Sequence, residues 1–279
     1  MKKSDITYQD KINELRLDIS HPNSRGINFI FLEGETDIRL FRKFFNLAKC
    51  KVENIPGGNC KLEECVEMLV NIYPLIIGIR DSDFIRLEEM SYNKKNMFLT
   101  DFHDMEVSML SHEPILNSLV FEYSDLPKNK HIELREKVLE SIILVSYLKW
   151  LNFKENLEFE FTAGFHDLVS FVNLNIDFDQ YLDRVISKSK NARLTSKELI
   201  LKKIDELKAL NPDKMQLTNG HDLLNMFAKY FREECQQNGL SGDNLACSVR
   251  MLFNLNFFVE TNLYSELTRW QIEFETELF

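Results

Sequence analysis

Three carboxylates directly after an apolar run are the first residues in this chain whose spacing suits chemistry. The run Phe29–Leu32 leads into Glu33, Glu35 and Asp37, and a segment of helical period follows. A buried strand, a tight acidic turn and a helix are therefore expected here. Phosphate-binding turns in this position use glycines and a lysine, whereas three acids would repel a phosphate unless a divalent cation came with it. A solvated acidic turn without a ligand is the alternative.

A second acidic pair ends another apolar run. Leu75–Ile79 is followed by Asp81 and Asp83. Residues two apart in an extended chain point to the same side, so both carboxylates project together while Ser82 points elsewhere. With Glu33 they make an oxygen-only ligand set of the kind that Mg²⁺ or Mn²⁺ prefers. Without a metal, such clustered acids would repel one another.

The elements that must bring these acids together follow from the hydrophobic periodicity. Strands alternate with helices, which predicts a parallel sheet. If the strand ending at Ile79 lies on the other side of the first strand from Lys51–Ile55, the strand order reverses and a crevice opens at the strands' C-terminal ends. The predicted strands are Phe29–Leu32, Lys51–Ile55, Leu75–Ile79 and Met97–Thr100, and the predicted helices are 5–20, 38–48 (capped by Thr36 or Asp37) and 62–73.

Helical periodicity dominates beyond about residue 113. Leu157–Phe161 is the best candidate for a further strand. We therefore expect an α/β fold with a catalytic domain at 1–125 and an α-rich region at 126–279, which packs on the domain and provides substrate or partner contacts. The helices expected in that region are Glu133–Leu151, Asp179–Ser187, Ser196–Leu210, His221–Gln237 and Asn244–Phe257.

Composition excludes several classes of protein. A formal net charge of −10 argues against a protein that coats nucleic acid. A local basic face is present between Lys188 and Lys208, although such a charge run is more often a solvated helix surface. Five scattered cysteines without a CxxC pair indicate neither a disulfide framework nor a zinc ribbon, and we expect them to be reduced core residues. No apolar window is long enough to cross a membrane, and no cleavable leader is evident, so the expected location is the cytoplasm.

The two acidic motifs carry a family resemblance. LEGETD at 32–37 with IRDSD at 79–83 resembles the Toprim fold shared by topoisomerases, bacterial primases and nucleases of the overcoming-lysogenization-defect group. The resemblance implies a metal site made by the glutamate of the first motif and the aspartates of the second, here Glu33, Asp81 and Asp83. Asp37, which ends the first motif, is a further candidate ligand.

Three further motifs narrow the resemblance. HDME at 103–106, NGHD at 219–222 and FVETNLY at 258–264 resemble a Toprim family long catalogued without an assigned function, whose members include the effector subunit of the PARIS anti-phage system. This resemblance implies a metal-dependent RNase whose expected substrate is tRNA, and it favours tRNA over DNA as that substrate. It also implies a partner ABC-type ATPase that holds the RNase inactive until infection is sensed, and a homodimer of the released effector.

Roles for individual residues follow from the implied chemistry. The metal would act as Lewis acid and template for phosphodiester cleavage. Glu33 is expected to ligate it or to act as general base. Glu106 is expected to hold a second metal or to orient a ligand, and His103 is either a proton donor or a hydrogen-bonded structural histidine. Arg80 is expected to contact phosphate or to pair with an acid of the cluster.

Competing interpretations stay open at this point. Three His-Asp pairs, at 103–104, 166–167 and 221–222, suggest a metal phosphohydrolase, but each precedes or begins a periodic segment, where aspartate is a routine helix cap. A DNA endonuclease of the same fold is a second alternative. A third is a non-catalytic interaction module, against which the complete set Glu33, Asp81 and Asp83 counts, because a scaffold has little reason to bear the repulsion.

Overall fold

Four short strands form a parallel sheet in this computed structural model, which describes residues 7–170 and 174–279 apart from the side chain of His166. The sheet order is β2-β1-β3-β4, and every neighbouring pair is parallel. The predicted α/β class is confirmed, and the condition for a reversal of strand order is met, because β2 and β3 lie on opposite sides of β1. The strands are β1 (Asn28–Leu32), β2 (Cys50–Asn54), β3 (Ile76–Arg80) and β4 (Met97–Leu99).

Helices flank the sheet and dominate the rest of the chain. Those interleaved with the strands are α1 (Tyr8–Ser20), α2 (Glu35–Phe41) and α3 (Asn59–Val70). The predicted first residues of α1, with Ile6, lie outside the described part of the chain. The later helices are α4 (Met105–Ser111), α5 (Glu113–Tyr123), α6 (His131–Glu155), α7 (Phe178–Lys188), α8 (Lys197–Lys208), α9 (Lys214–Leu217), α10 (Gly220–Glu234), α11 (Gly242–Leu252), α12 (Leu255–Phe258) and α13 (Asn262–Glu273).

The chain divides into two compact units whose limits differ from the expected division at residue 125. The first unit holds the described residues up to Ser82, together with Ser91–Asp101 and Phe253–Phe279. The second unit holds Asp83–Met90 and Phe102–Leu252. The C-terminal helices belong to the first unit because α13 packs on β4 and because Asp101 accepts hydrogen bonds from the first N–H groups of α13. Continuity along the chain is therefore a poor guide to the boundary.

The core of the first unit lies between the sheet and helices α1 and α3. β1 is buried along its whole length, as a strand covered on both faces should be. Gly78 in β3 allows close packing here, since an added Cβ would lie 2.3 Å from Met97 Sδ and 2.8 Å from Val66 Cγ2. The residues of this cluster include Ile12, Leu15, Ile19, Phe29, Phe31, Ile55, Leu62, Cys65, Val66, Leu69, Ile76 and Met97.

A second apolar cluster of the first unit is aromatic. Phe44 stacks on Phe258 with ring centroids 4.4 Å apart, and Phe45 stacks on Phe279 at 5.5 Å. Phe44 and Phe45 are both buried and belong to the core of this unit. The helix predicted at 38–48 ends earlier, at Phe41, so Phe44 and Phe45 lie in the turn that follows it, and its N-cap is Gly34 instead of Thr36 or Asp37.

The second unit is helical in the described residues. The 25-residue helix α6 packs against α5, α8, α9 and α10, and α10 also packs against α4 and α11. The helix predicted at Asn244–Phe257 is interrupted. α11 ends at Leu252, and Asn254 caps α12 by accepting from the N–H of Asn256 at 2.9 Å. The chain passes from the second unit to the first at this interruption.

The prediction of a strand at Leu157–Phe161 is wrong. Its alternation is real, since Leu157 and Phe159 are buried while Glu158 and Glu160 are exposed. The backbone bonds do not form a ladder, however: Phe159 N donates to a side-chain oxygen of Asn152, and Glu160 N to that of Ser189. The alternation of buried and exposed residues therefore indicates an extended segment that is buried on one side. It does not show that a partner strand lies beside that segment.

The expectation that the cysteines are reduced core residues is met only in part. The five cysteines are free, but only Cys50 and Cys65 among them are buried, whereas Cys60 and Cys247 are exposed.

Among the helices that the structure describes, none combines the length and the apolar character that a membrane crossing requires.

Candidate functional site

Glu33 and Asp81 lie at the carboxyl ends of the two central strands. β1 and β3 are adjacent and parallel, with Leu32 opposite Ile79. Glu33 is one residue beyond this pair on its strand, and Asp81 is two residues beyond it. Because β2 and β3 flank β1 on opposite sides, the strand order reverses at this edge. These two acids therefore occupy the sheet position at which ligands bind in open α/β folds.

The turn between β2 and α3 lies against the Glu33 carboxylate. Gly57 and Gly58 have φ values of 108° and 79°, which only glycine adopts readily. A Cβ added at Gly58 would lie 3.7 Å from Glu33 Oε1. Gly58 is also the N-cap of the 12-residue helix α3. The partial positive charge at a helix N-terminus favours a carboxylate held beside it.

Asp37 has a structural task at the start of α2. Its Oδ2 accepts a hydrogen bond from Gly34 N at 3.0 Å, and this contact closes the acidic turn. Gly34 has room for little else, because an added Cβ would lie 3.1 Å from the same Asp37 oxygen. The role of Asp37 as a metal ligand stays a prediction.

Arg80 fixes the backbone at Asp81. Its Nε donates to Asp81 O at 2.9 Å, while its Nη1 lies 2.7 Å from Glu63 Oε1 on α3. Tyr92 and Lys94 also bind the Glu63 carboxylate, at 2.8 and 2.7 Å. Arg80 thus pairs with an acid, as one of its two predicted roles requires, but this acid lies outside the predicted set.

The segment between the two aspartates is anchored to the strand edge. Ser82 N donates to Thr100 Oγ1 at 2.9 Å, and Thr100 N donates to Arg80 O at 3.1 Å. Ser82 is fully buried, whereas Asp81 and Asp83 are each partly exposed. The alternation predicted for this segment is therefore present in its exposure.

Asp83 opens the second unit in an unusual backbone conformation. Its φ is 48°, in the left-handed region, and its N–H donates to His103 O at 2.8 Å. Aspartate tolerates this region better than most residues. Eight other described non-glycine residues also have a positive φ, so the conformation alone assigns no role to this segment.

His103 is a buried histidine with structural contacts. Its Nδ1 lies 3.2 Å from Gln216 O, and its ring packs edge-on against Phe84 at 4.8 Å. Burial lowers the pKa of His103, and the nearby charge of Asp83 only partly opposes this effect. These contacts fit the alternative in which His103 is a hydrogen-bonded structural histidine. The predicted role as proton donor stays a prediction.

Asp104, which was not among the predicted site residues, ties two helices together. Its Oδ1 accepts from Val107 N at 2.9 Å and its Oδ2 from Gly220 N at 2.6 Å, so it caps α4 and holds the start of α10. Burial raises the pKa of Asp104 to about 6, although both N–H donors oppose the shift. Gly220 is required here because an added Cβ would lie 2.4 Å from Asp104 Oδ1.

Glu106 lies next to this buried carboxylate. Burial first, and then the charge of Asp104, raise the pKa of Glu106 to about 7. Arg250 Nη1 lies 3.8 Å from Glu106 Oε1 and, with His221, opposes the shift. Glu106 can therefore exchange a proton near neutral pH, which is the property expected of a general acid or base.

The remaining His-Asp pairs have ordinary structural surroundings. Asn219, not Asp222, is the N-cap of α10, and Asp222 forms an ion pair with Lys149 of α6. His221 is exposed, and the side chain of His166 lies outside the described part. The phosphohydrolase interpretation gains no support from these contacts.

Within residues 7–170 and 174–279, no group of three or more His, Cys, Asp or Glu side chains is arranged to hold a metal ion. Mg²⁺ is commonly held by one or two carboxylates, with waters and substrate phosphate completing its octahedron. Glu33 and Asp81 fit that smaller requirement by donor type and by strand position.

The role of Asp104 as a helix cap could have been predicted from the sequence, whereas the long-range partners of the site residues could not. Asp104 precedes the apolar positions of α4, which is a typical N-cap signal. The partners Glu63, Lys149 and Gly220 are distant in sequence from Arg80, Asp222 and Asp104, and no local pattern connects them.

The chain matches no protein-family model, no curated protein and no solved structure. The likeness to the Toprim family therefore stays a prediction.

Proposed function

We propose that the protein is a metal-dependent nuclease that cleaves a phosphodiester at the carboxyl edge of β1 and β3. The observation that carries the proposal is the position of Glu33 and Asp81 where the strand order reverses. Two carboxylates at this edge are poorly suited to bind an anionic substrate by themselves. They are well suited to a hard divalent cation, Mg²⁺ or Mn²⁺, that binds the substrate phosphate in turn.

The chain's own residues supply the positioning. Glu33 and Asp81 would hold the cation, which would contribute Lewis-acid and template chemistry. The start of α3 stabilises the negative charge of Glu33, and the Arg80–Glu63 pair with Thr100 fixes the backbone that carries Asp81. This anchoring reduces the reorganisation needed during the reaction.

Metal-mediated binding also agrees with the charge distribution. The net charge is −10. Arg193, Lys197, Lys203 and Lys208, all within the predicted basic face, form ion pairs with acids of the second unit. Four of the seven basic residues of that face are therefore paired, whereas Lys188, Lys190 and Lys202 make no ion pair among the described residues. A divalent cation would add an attraction for phosphate at the sheet edge.

We further propose that the substrate is tRNA, and that the protein is the toxic effector of an anti-phage system held inactive by an ABC-type ATPase. These parts rest on the resemblance of the motifs LEGETD, IRDSD and HDME. The roles predicted for Asp83, His103 and Glu106 stay predictions. Glu106, whose pKa is raised to about 7, is suited to proton transfer at neutral pH.

Metal binding is tested first on purified protein. Mg²⁺ or Mn²⁺ at about 100 times its dissociation constant should stabilise the fold by about 2.7 kcal/mol, which raises Tm by several degrees. Glu33→Gln and Asp81→Asn should each abolish the shift. Glu67→Gln, which changes an exposed acid of α3, should retain it. Loss of the shift in all three variants, or in none, would contradict the assignment.

Cleavage is tested by sequencing RNA from cells that express the wild type or Glu33→Ala. Fragments of tRNA present only with the wild type are expected. Cleaved chromosomal DNA with intact RNA would favour the DNA endonuclease alternative. A metal-dependent shift of Tm without cleavage of either nucleic acid, and without toxicity, would favour the interaction module.

A further inference from the structure

A pocket of about 420 Å³ in the second unit has no part in the proposed nuclease site. It lies where the C-terminal end of α5 meets that of α10, and its volume is in the range of ligand-binding sites. Its described lining combines aromatic rings with acids and contains no basic side chain. Its aromatic and acidic lining residues are Phe121, Glu122, Tyr123, Asp125, Tyr230 and Glu234.

The three acids of the pocket are not neutralised by the protein. Glu122, Asp125 and Glu234 are exposed, and none of them takes part in an ion pair among the described residues. Their charge acts on neighbouring groups. Burial, then the charges of Glu234 and Asp125, raise the pKa of the Cys235 thiol. Burial, then Cys235 and Glu234, raise that of Tyr230. The pocket therefore favours a positively charged occupant.

The aromatic walls suit the same kind of occupant. Phe121 is 56% exposed at the rim, although large apolar side chains are usually covered. Tyr123 is held in place by its hydroxyl, 3.0 Å from Ser248 Oγ, and by its ring, 5.5 Å from that of Phe231. Aromatic faces attract guanidinium and ammonium groups, and acids at the edge add to the attraction.

We propose that this pocket binds the side chain of an arginine or lysine presented by a protein partner. The alkyl stem would lie on the rings of Tyr230 and Phe121, and the charged head would reach Asp125 and Glu234. This proposal does not depend on nuclease activity, because every residue it uses lies in the second unit and outside the predicted catalytic set.

An adjoining pocket favours a peptide segment over a free amine. A second cavity of about 250 Å³ shares Leu126 and Tyr230 with the first. Its lining adds Lys130, which pairs with Glu133 at 2.6 Å, and Lys137, which makes no ion pair among the described residues. The first cavity is thus acidic, whereas the second contains the ammonium group of Lys137, which makes no ion pair among the described residues. A segment with a basic residue and an acidic residue a few positions apart complements both.

Fluorescent hexapeptide pools test the proposal on the full chain. One position is fixed as Arg, Lys, Gln or Glu while the others are varied, and binding is measured by fluorescence anisotropy. The Arg and Lys pools should bind about tenfold more tightly than the Gln pool. The double variant Asp125→Asn with Glu234→Gln should lose about tenfold, since each exposed charge pair contributes up to about fivefold.

Controls separate loss of charge from loss of structure. Glu206→Gln removes an exposed acid of α8 outside the pocket and should bind the pools as the wild type does. The double variant should keep the wild-type Tm because its two acids are exposed. Equal binding of the Arg, Lys and Gln pools would overturn the proposal, as would unchanged binding by the double variant. Spermidine that binds the wild type when the Arg and Lys pools do not would overturn the assignment to a protein partner.

Discussion

Replacing Glu106 by glutamine should change how the free energy of unfolding depends on pH. The Glu106 side chain is 23% exposed, and burial beside Asp104 raises its pKa from 4.5 to about 7. Because the folded-state pKa exceeds the unfolded value, the folded state binds the proton more tightly. The native state is therefore favoured below the unfolded pKa and loses this contribution as pH rises towards 7. Glutamine keeps the shape and stays neutral throughout.

The magnitude follows from the same shift. The rise from 4.5 to about 7, at about 1.36 kcal/mol for each pH unit, gives an upper bound of about 3.4 kcal/mol. Residual solvent access reduces this figure. The attraction to Arg250, 3.8 Å away, is already included in the raised pKa and is not subtracted again. The stability advantage of Glu106→Gln over the wild type should therefore be small near pH 5 and should rise to about 1–2 kcal/mol near pH 8.

Urea unfolding followed by circular dichroism between about pH 5 and about pH 8, with EDTA present, measures the difference. Glu206→Gln is the matched control, because it neutralises an exposed glutamate of the same unit. A difference between wild type and Glu106→Gln that does not vary with pH would refute the reasoning. So would a variant less stable than the wild type near pH 8.

Three further substitutions test the packing within each of the two units. Gly220→Ala should cost about 1–3 kcal/mol in urea unfolding, because the new Cβ would lie 2.4 Å from Asp104 Oδ1 and 2.5 Å from Glu106 Cβ; wild-type stability would mean that α4 and α10 separate freely. Lys149→Met should cost about 3–5 kcal/mol near pH 7, because it leaves Asp222 buried without its cation, and adding Asp222→Asn should restore part of the loss. Leu278→Ala should cost about 2–4 kcal/mol, because this C-terminal side chain is fully buried. The exposed Leu255→Ala should cost far less, and equal losses for the two leucines would contradict the assigned burial.

The sequence by itself determined the sheet and the edge at which the acids lie. Buried strands such as β1 and β3 are continuous apolar runs, and the helices between them have their own period, so both can be read locally. The alternation of strand and helix then required a parallel sheet, and Glu33 and Asp81 had to lie at its carboxyl edge. The residues that carry the proposed chemistry were predicted for this reason.

Tertiary structure alone decided which distant groups meet. The Arg80–Glu63 pair, the Asp222–Lys149 pair and the bonds of Asp104 to Gly220 join residues separated by 17 to 116 positions. The same holds for Leu157–Phe161, whose alternation could not reveal whether a partner strand lies beside it. The periodicity of apolar residues in the sequence shows which side chains are buried and which are exposed to water. It does not record which element provides the cover, because many partners bury the same apolar surface equally well.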